Sequence, residues 1–128
     1  MQLLLDTHAL LWWVLEADGL SKKARQAISD TKNEIFVSAA TAWEIATKFR
    51  LGRLPEAEPF VYSLRANLRK LGFTELPISL EHAQRAGLLP GEHKDPFDRM
   101  LIAQAQVEGL SMVSNEKVFD VYRVHRLW

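Results

Sequence analysis

Apolar and polar positions alternate along this chain in short blocks of two kinds. "LLLD" carries three leucines and closes on an acid, a run short enough to be a buried strand. "HALLWWVLEA" reads as a helix, and "SKKARQAISD" as a second helix opened by Ser21, a residue suited to capping. "EIFV" is β-branched and aromatic, which predicts a strand. "SAATAWEIATKFRLG" predicts a helix from Ser38 to a stop at Gly52. In "EPFVYSLRANLRKLG" the positions Phe60, Val61, Leu64, Leu68 and Leu71 have helical spacing, so one amphipathic helix ending at Gly72 is expected. "FTELPI" reads as a strand, "SLEHAQRAG" as a short helix and "LLPGEHK" as a loop. "PFDRMLIAQAQVEG" is a helix and "LSMVS" a strand; a helical turn and an ill-defined tail, "VYRVHRLW", follow.

Strands alternating with helices predict an α/β domain with a mainly parallel sheet. Such sheets bind their ligands beyond the C-terminal ends of the strands. The residues that directly follow strands are therefore the ones to weigh for function.

Composition narrows the picture. A length of 128 residues suggests one domain over residues 1–128, long enough to bury a core. The absence of cysteine excludes disulfides and thiolate chemistry, and fits a reducing cytoplasm. The apolar start lacks a basic residue before the leucines and is interrupted by Asp6, so it reads as core rather than as an export signal. No apolar run approaches the roughly 18 residues of a membrane span. Sixteen basic side chains balance sixteen acidic ones, whereas nucleic-acid binders often carry a basic surplus. Drawing five acids into one metal site would leave eleven facing sixteen bases.

The acids after strands each admit a local explanation. Asp6 can cap the helix that begins in "THALL". Glu44, the only ionisable residue between Glu34 and Lys48, can pair with Lys48 one turn on. It lies off the Ala39, Trp43, Ala46, Arg50 stripe, yet Ala40, Ala42 and Ile45 make its helix apolar on several sides. Asp95 and Asp98 flank Pro96, which suits the first helical position, so they resemble a capping box with Asp in place of Glu. Glu116 can be a first-turn acid on a helix capped by Ser114. Capping, however, needs only one acid of the Asp95–Asp98 pair. Together these acids converge on the edge where an α/β sheet places ligands. Clustered carboxylates stay ionised only beside cations, and an all-oxygen set suits Mg²⁺ or Mn²⁺ and hence phosphoryl chemistry.

"LLLDTHALLWW", "VSAATAWEIATKFRLG", "DPFDRMLIAQA" and "MVSNEKVF", in this order, closely resemble the PIN-domain family, specifically VapC-like toxins of bacterial toxin–antitoxin pairs. The resemblance covers nearly the whole chain. It implies a single PIN-like α/β domain, a parallel sheet of four or five strands flanked by helices. It also implies an acidic site binding Mg²⁺ or Mn²⁺, made of Asp6, Glu44, Asp98 and Glu116 as catalytic and metal-binding residues. Asp95 is either a further ligand or a cap, and Asp98 is expected to face Asp6 and Glu44. Thr7 and Ser114 are the supporting hydroxyls. Glu116 departs from the usual Asp, which puts the second metal position in question. The implied reaction is metal-dependent hydrolysis of RNA by an activated water, giving a 5′-phosphate and a 3′-hydroxyl. Lys48, Arg50, Arg53 and Arg99 are the candidates for contact with the RNA backbone. The implied partners are RNA, an antitoxin protein and a second copy of the chain, in the cytoplasm and off the membrane.

Remaining features carry less. Trp12, Trp13 and Trp43 can stack on bases, but aromatics at helical spacing are more often core. His8, His82, His93 and His125 show no ligand-like pairing, so no zinc site is expected. Two other readings are a PIN-like binding module without catalysis and a phosphohydrolase with an aspartyl nucleophile. Such phosphohydrolases commonly have a second Asp two residues after the first, where this chain has His8.

Overall fold

The computed structural model describes all 128 residues. Its sheet has five strands: β1 (Gln2–Leu5), β2 (Glu34–Ser38), β3 (Thr74–Leu76), β4 (Ser111–Val113) and β5 (Arg126–Leu127). All neighbouring pairs are parallel, in the order β3-β2-β1-β4-β5. The chain builds outward from β1 in one direction and then in the other, so the order reverses between β1 and β4. In open α/β sheets that reversal opens a crevice at the strands' C-terminal ends.

The helices are α1 (Thr7–Val14), α2 (Lys22–Ser29), α3 (Ala39–Arg50), α4 (Glu58–Val61), α5 (Leu64–Lys70), α6 (Leu80–Leu88), α7 (Pro96–Glu108) and α8 (Val118–Val121). Their starts follow local chemistry. The Ser21, Ser38 and Ser79 hydroxyls accept from backbone N–H groups of the first turns of α2, α3 and α6. α7 stops at Gly109, whose φ of 67° is inexpensive only for glycine.

Strand alternation divides the core. Leu3 and Leu5 point to one face, with Leu10, Ile28, Phe60 and Leu68. Leu4 points to the other, with Leu101, Ile102 and Phe119. No helix is long and apolar enough to cross a membrane.

Two expectations are corrected. The helix expected from Glu58 to Gly72 is broken: α4 ends at Val61, and Ser63 adopts φ −128°, ψ 31° before α5. The Asn67 amide donates to the Ser63 carbonyl and hydroxyl, both at 3.0 Å. Serine bonds readily to nearby backbone outside helical geometry, and helical spacing of apolar residues does not register that. The tail, read as ill defined, supplies β5, which pairs through Met112↔Arg126 and Val113↔Leu127. Two residues are too few to show periodicity.

Candidate active site

Eight polar or charged residues are buried, and six of them, Asp6, Thr7, Ser38, Thr41, Glu44 and Ser114, lie at or just past the ends of β1, β2 and β4. Parallel register puts them there. Leu5 pairs with Val113, so the next residues, Asp6 and Ser114, emerge side by side. The Asp6 N–H still donates to the Val113 carbonyl at 3.2 Å.

Asp6 does both jobs that its position allows. Its Oδ1 accepts from Ala9 N at 2.7 Å and caps α1. The carboxyl is only 3% exposed. Burial pushes its pKa up to about 6, and the Glu116 charge adds to the rise; the Ser114 hydroxyl, the Ala9 N–H and His8 oppose it. The Asp6 carboxylate, a ring nitrogen of His8 and a carboxylate oxygen of Glu116 lie within 4.8 Å of one another. His8 Nδ1 is 3.4 Å from Glu116 Oε1.

Glu116 is not a first-turn helical acid, because α8 begins only at Val118. It sits in the loop after β4, where its N–H donates to the Ser114 hydroxyl at 2.9 Å. That turn aims the side chain back across the sheet edge toward α1. Its charge raises the pKa of both Asp6 and Asp98, so Glu116 is the neighbour that these two acids share.

At α7 the paired acids divide their labour. Asp95 caps, with Oδ1 accepting from Phe97 N at 2.9 Å and Asp98 N at 3.1 Å. Asp98 does not bond back to the cap. Its Oδ2 meets His93 Nε2 at 2.9 Å. Burial raises the Asp98 pKa to about 6; the hydrogen bond from His93 opposes this, while the charges of Asp95 and Glu116 add to it.

Glu44 is buried, at 5% exposure. Its Oε1 accepts from the Thr7 hydroxyl and its Oε2 from Lys48 Nζ, each at 2.5 Å. The pairing with Lys48 is therefore real, but on a buried carboxylate, where it offsets desolvation rather than decorating a surface. Thr7, the residue that follows Asp6, thus ties Glu44 on α3 to the start of α1, and it also lies 3.3 Å from Thr41 Oγ1.

Among the cations, Arg50 and Arg53 are exposed. Arg99 is turned toward the protein's own backbone. Its guanidinium donates to the carbonyls of Ala86 (3.0 Å), His93 (3.0 Å) and Leu89 (2.5 Å), which ties the end of α6 and the following loop to α7 and engages three of its five N–H groups.

The histidines are also corrected. His8 and His93 both pair with site acids, a relation between distant elements that spacing along the chain did not display; the signal for His8 was its place two residues after Asp6. Trp43, expected in the core, is 59% exposed and meets Phe97 edge-on at 4.8 Å. Trp12 and Trp13 are partly buried against the core.

The geometry can now be set beside known proteins. A family model described as "PIN domain" matches residues 3–124. Ribonuclease VapC16 of Mycobacterium tuberculosis (strain ATCC 25618 / H37Rv) is 40% identical over 72 residues, 56% of this chain but only 49% of that protein, so the match spans about half of its length. Ribonuclease VapC22 of the same organism is 30% identical over 123 residues, covering 94% of this chain and 91% of that protein. Among solved structures, a chain of a toxin–antitoxin complex from Klebsiella pneumoniae has a TM-score of 0.59 at 22% identity, covering 89% of this chain and 86% of that one, a likeness of fold.

Proposed function

The chain belongs to the PIN-domain family, and on that premise we propose that it is a VapC-like endoribonuclease that uses a divalent cation to hydrolyse RNA phosphodiester bonds. The observation that carries this reading is the grouping of Asp6, His8 and Glu116 within 4.8 Å at the reversal between β1 and β4; Asp98 stands outside that trio, and the Glu116 charge adds to the rise of its pKa.

The donor set fits Mg²⁺ or Mn²⁺. Asp6, Asp98 and Glu116 offer hard carboxylate oxygens. Asp6 and Asp98 have pKa values raised to about 6, mainly by burial and further by the Glu116 charge, so a cation beside them would offset the cost of ionising them. When bound, the cation supplies charge neutralisation at the scissile phosphate and a more acidic water.

The chain's own residues do the rest. Asp6 is fixed by the Ala9 N–H through Oδ1, with the Ser114 hydroxyl beside the carboxylate. Asp95 serves as the cap that orients α7, and Asp98 is held by His93. Glu44 has each oxygen in one hydrogen bond, to Thr7 and to Lys48, which fixes the carboxylate and keeps Lys48 beside the site. A carboxylate of the set takes the proton of the attacking water. The water oxygen bonds to phosphorus, the P–O3′ bond breaks, and the 3′ oxygen is protonated. Lys48, Arg50 and Arg53 meet phosphates along the strand.

The reading carries partners with it. An antitoxin protein fits the resemblance to toxins of such pairs and the fold shared with a chain of a toxin–antitoxin complex. A homodimer and a cytoplasmic RNA target complete the proposal.

The test is cleavage of a mixed small-RNA pool by the purified protein in Mg²⁺, Mn²⁺ or EDTA, with Asp6→Asn alongside. Cleavage that needs metal and vanishes in the variant supports the proposal. Equal cleavage by the variant points to a contaminant. No cleavage, together with no metal uptake by calorimetry, favours the non-catalytic module.

A further inference from the structure

Beside the acids, between α1 and the segment that follows α3, lies a cavity of about 250 Å³. Its apolar wall is Leu11, Leu15 and Leu54, and its aromatic wall is His8 and Trp12. Thr7 and Lys48, which bond Glu44, and His8, which lies with Asp6 and Glu116, all line it, so the cavity adjoins the acidic site. Lys48 and the exposed Arg53 are its cations, and Glu56 is the one acid in its lining.

The aromatic wall is built in layers. A Cβ on Gly19 would collide with the Trp12 indole, so this glycine lets the backbone lie directly on the ring. Trp128 braces the indole from another side, with centroids 5.7 Å apart. His8 stacks on Trp12 at 5.7 Å with planes 29° apart, and its side chain is half exposed. The imidazole is thus held flat by a braced ring and keeps half of its surface open, 3.4 Å from a Glu116 oxygen.

From this geometry we infer that the cavity receives one unstacked nucleobase of the RNA strand, a neighbour of the scissile phosphate, stacked on the open face of His8, which Trp12 backs, while Arg53 meets the adjoining phosphate. The inference rests on the ribonuclease reading above. Three features favour a nucleotide over an apolar side chain: a flat π-face suits any base, cations adjoin the apolar wall, and the cavity shares His8 and Lys48 with the acidic site beside it. Glu56 offers an acceptor for a base N–H. His8 is here a positioning residue for the strand.

The test measures binding, not turnover. Hexaribonucleotides of mixed sequence are titrated into the Asp6→Asn protein by fluorescence anisotropy, with variants of each RNA lacking one base. Removal of one particular base is expected to weaken binding about tenfold, the scale of one base–aromatic stack. His8→Ala on that background should abolish the dependence on that base, and His8→Phe, which keeps a π-face but no nitrogen, should retain it. Arg53→Ala should weaken intact and base-lacking RNA alike. The inference is overturned if no single base matters, if no hexamer binds, or if His8→Phe behaves as His8→Ala, which would assign His8 to the acids instead. Failure of the ribonuclease reading would register separately, as absent cleavage by the unmodified protein with base-dependent binding still present.

Discussion

Replacing Asp6 by asparagine should abolish cleavage and yet stabilise the metal-free protein at neutral pH. The Asp6 carboxyl has a pKa raised from 3.8 to about 6 in the folded state. A group with a raised folded-state pKa and an ordinary unfolded one binds more protons when folded. Stability therefore falls as pH rises from about 4 to above 6, and ionised Asp6 is a liability at pH 7.5. The shift corresponds to about 3 kcal/mol, an upper value because local relaxation and water entry lessen it. Asparagine carries no charge and caps helices about as well as aspartate, so the bond from Ala9 N survives. The variant should gain about 1–3 kcal/mol in urea unfolding at pH 7.5 in EDTA, and its advantage should shrink toward pH 5, where the native carboxyl is protonated. Adding Mg²⁺ should raise the melting temperature of the unmodified protein and leave the variant nearly unmoved. A variant less stable than its parent at both pH values would refute the argument and make Asp6 a structural residue first.

Further predictions follow from other contacts. Arg99→Ala strips donors from three carbonyls and should cost about 2 kcal/mol in denaturant unfolding, while RNA affinity of the folded variant stays within twofold. Gly19→Ala drives a methyl into the Trp12 indole and should cost about 1–3 kcal/mol, with a shift in tryptophan emission. Gln104→Leu leaves the buried Ser38 hydroxyl and the Pro77 carbonyl without their partner, for a loss of about 1–3 kcal/mol in urea unfolding.

Much of the fold was legible in the residue pattern, because the signals involved are local. Caps such as Ser21, Ser38 and Asp95 act within one turn, and a three-leucine run ending in an acid reads as a buried strand whatever lies elsewhere. The α/β class and the position of the acids at strand ends came from that, and the family resemblance added a role for each acid. Where a local signal conflicted with another, as at Ser63 inside a helical apolar repeat, pattern alone chose wrongly.

The site's pairings were a different matter. Whether Asp98 would cap or face a partner, and whether Glu44 was surface or interior, depend on which elements lie across the sheet edge. His8 meets Glu116 because the parallel register of β1 and β4 sets their loops side by side. His93 meets Asp98 because Arg99 ties the preceding loop back onto α7. Arg99 itself looked like a free cation, since nothing in "DPFDRML" reveals the three carbonyls that take its donors. The chain by itself determined the backbone states and the kinds of side chain at the strand ends, through interactions that reach no further than a helical turn. Only the folded protein decided which of those side chains touch, because contacts between residues distant in sequence are created by register and packing, and burial then raises the pKa of Asp6 and Asp98.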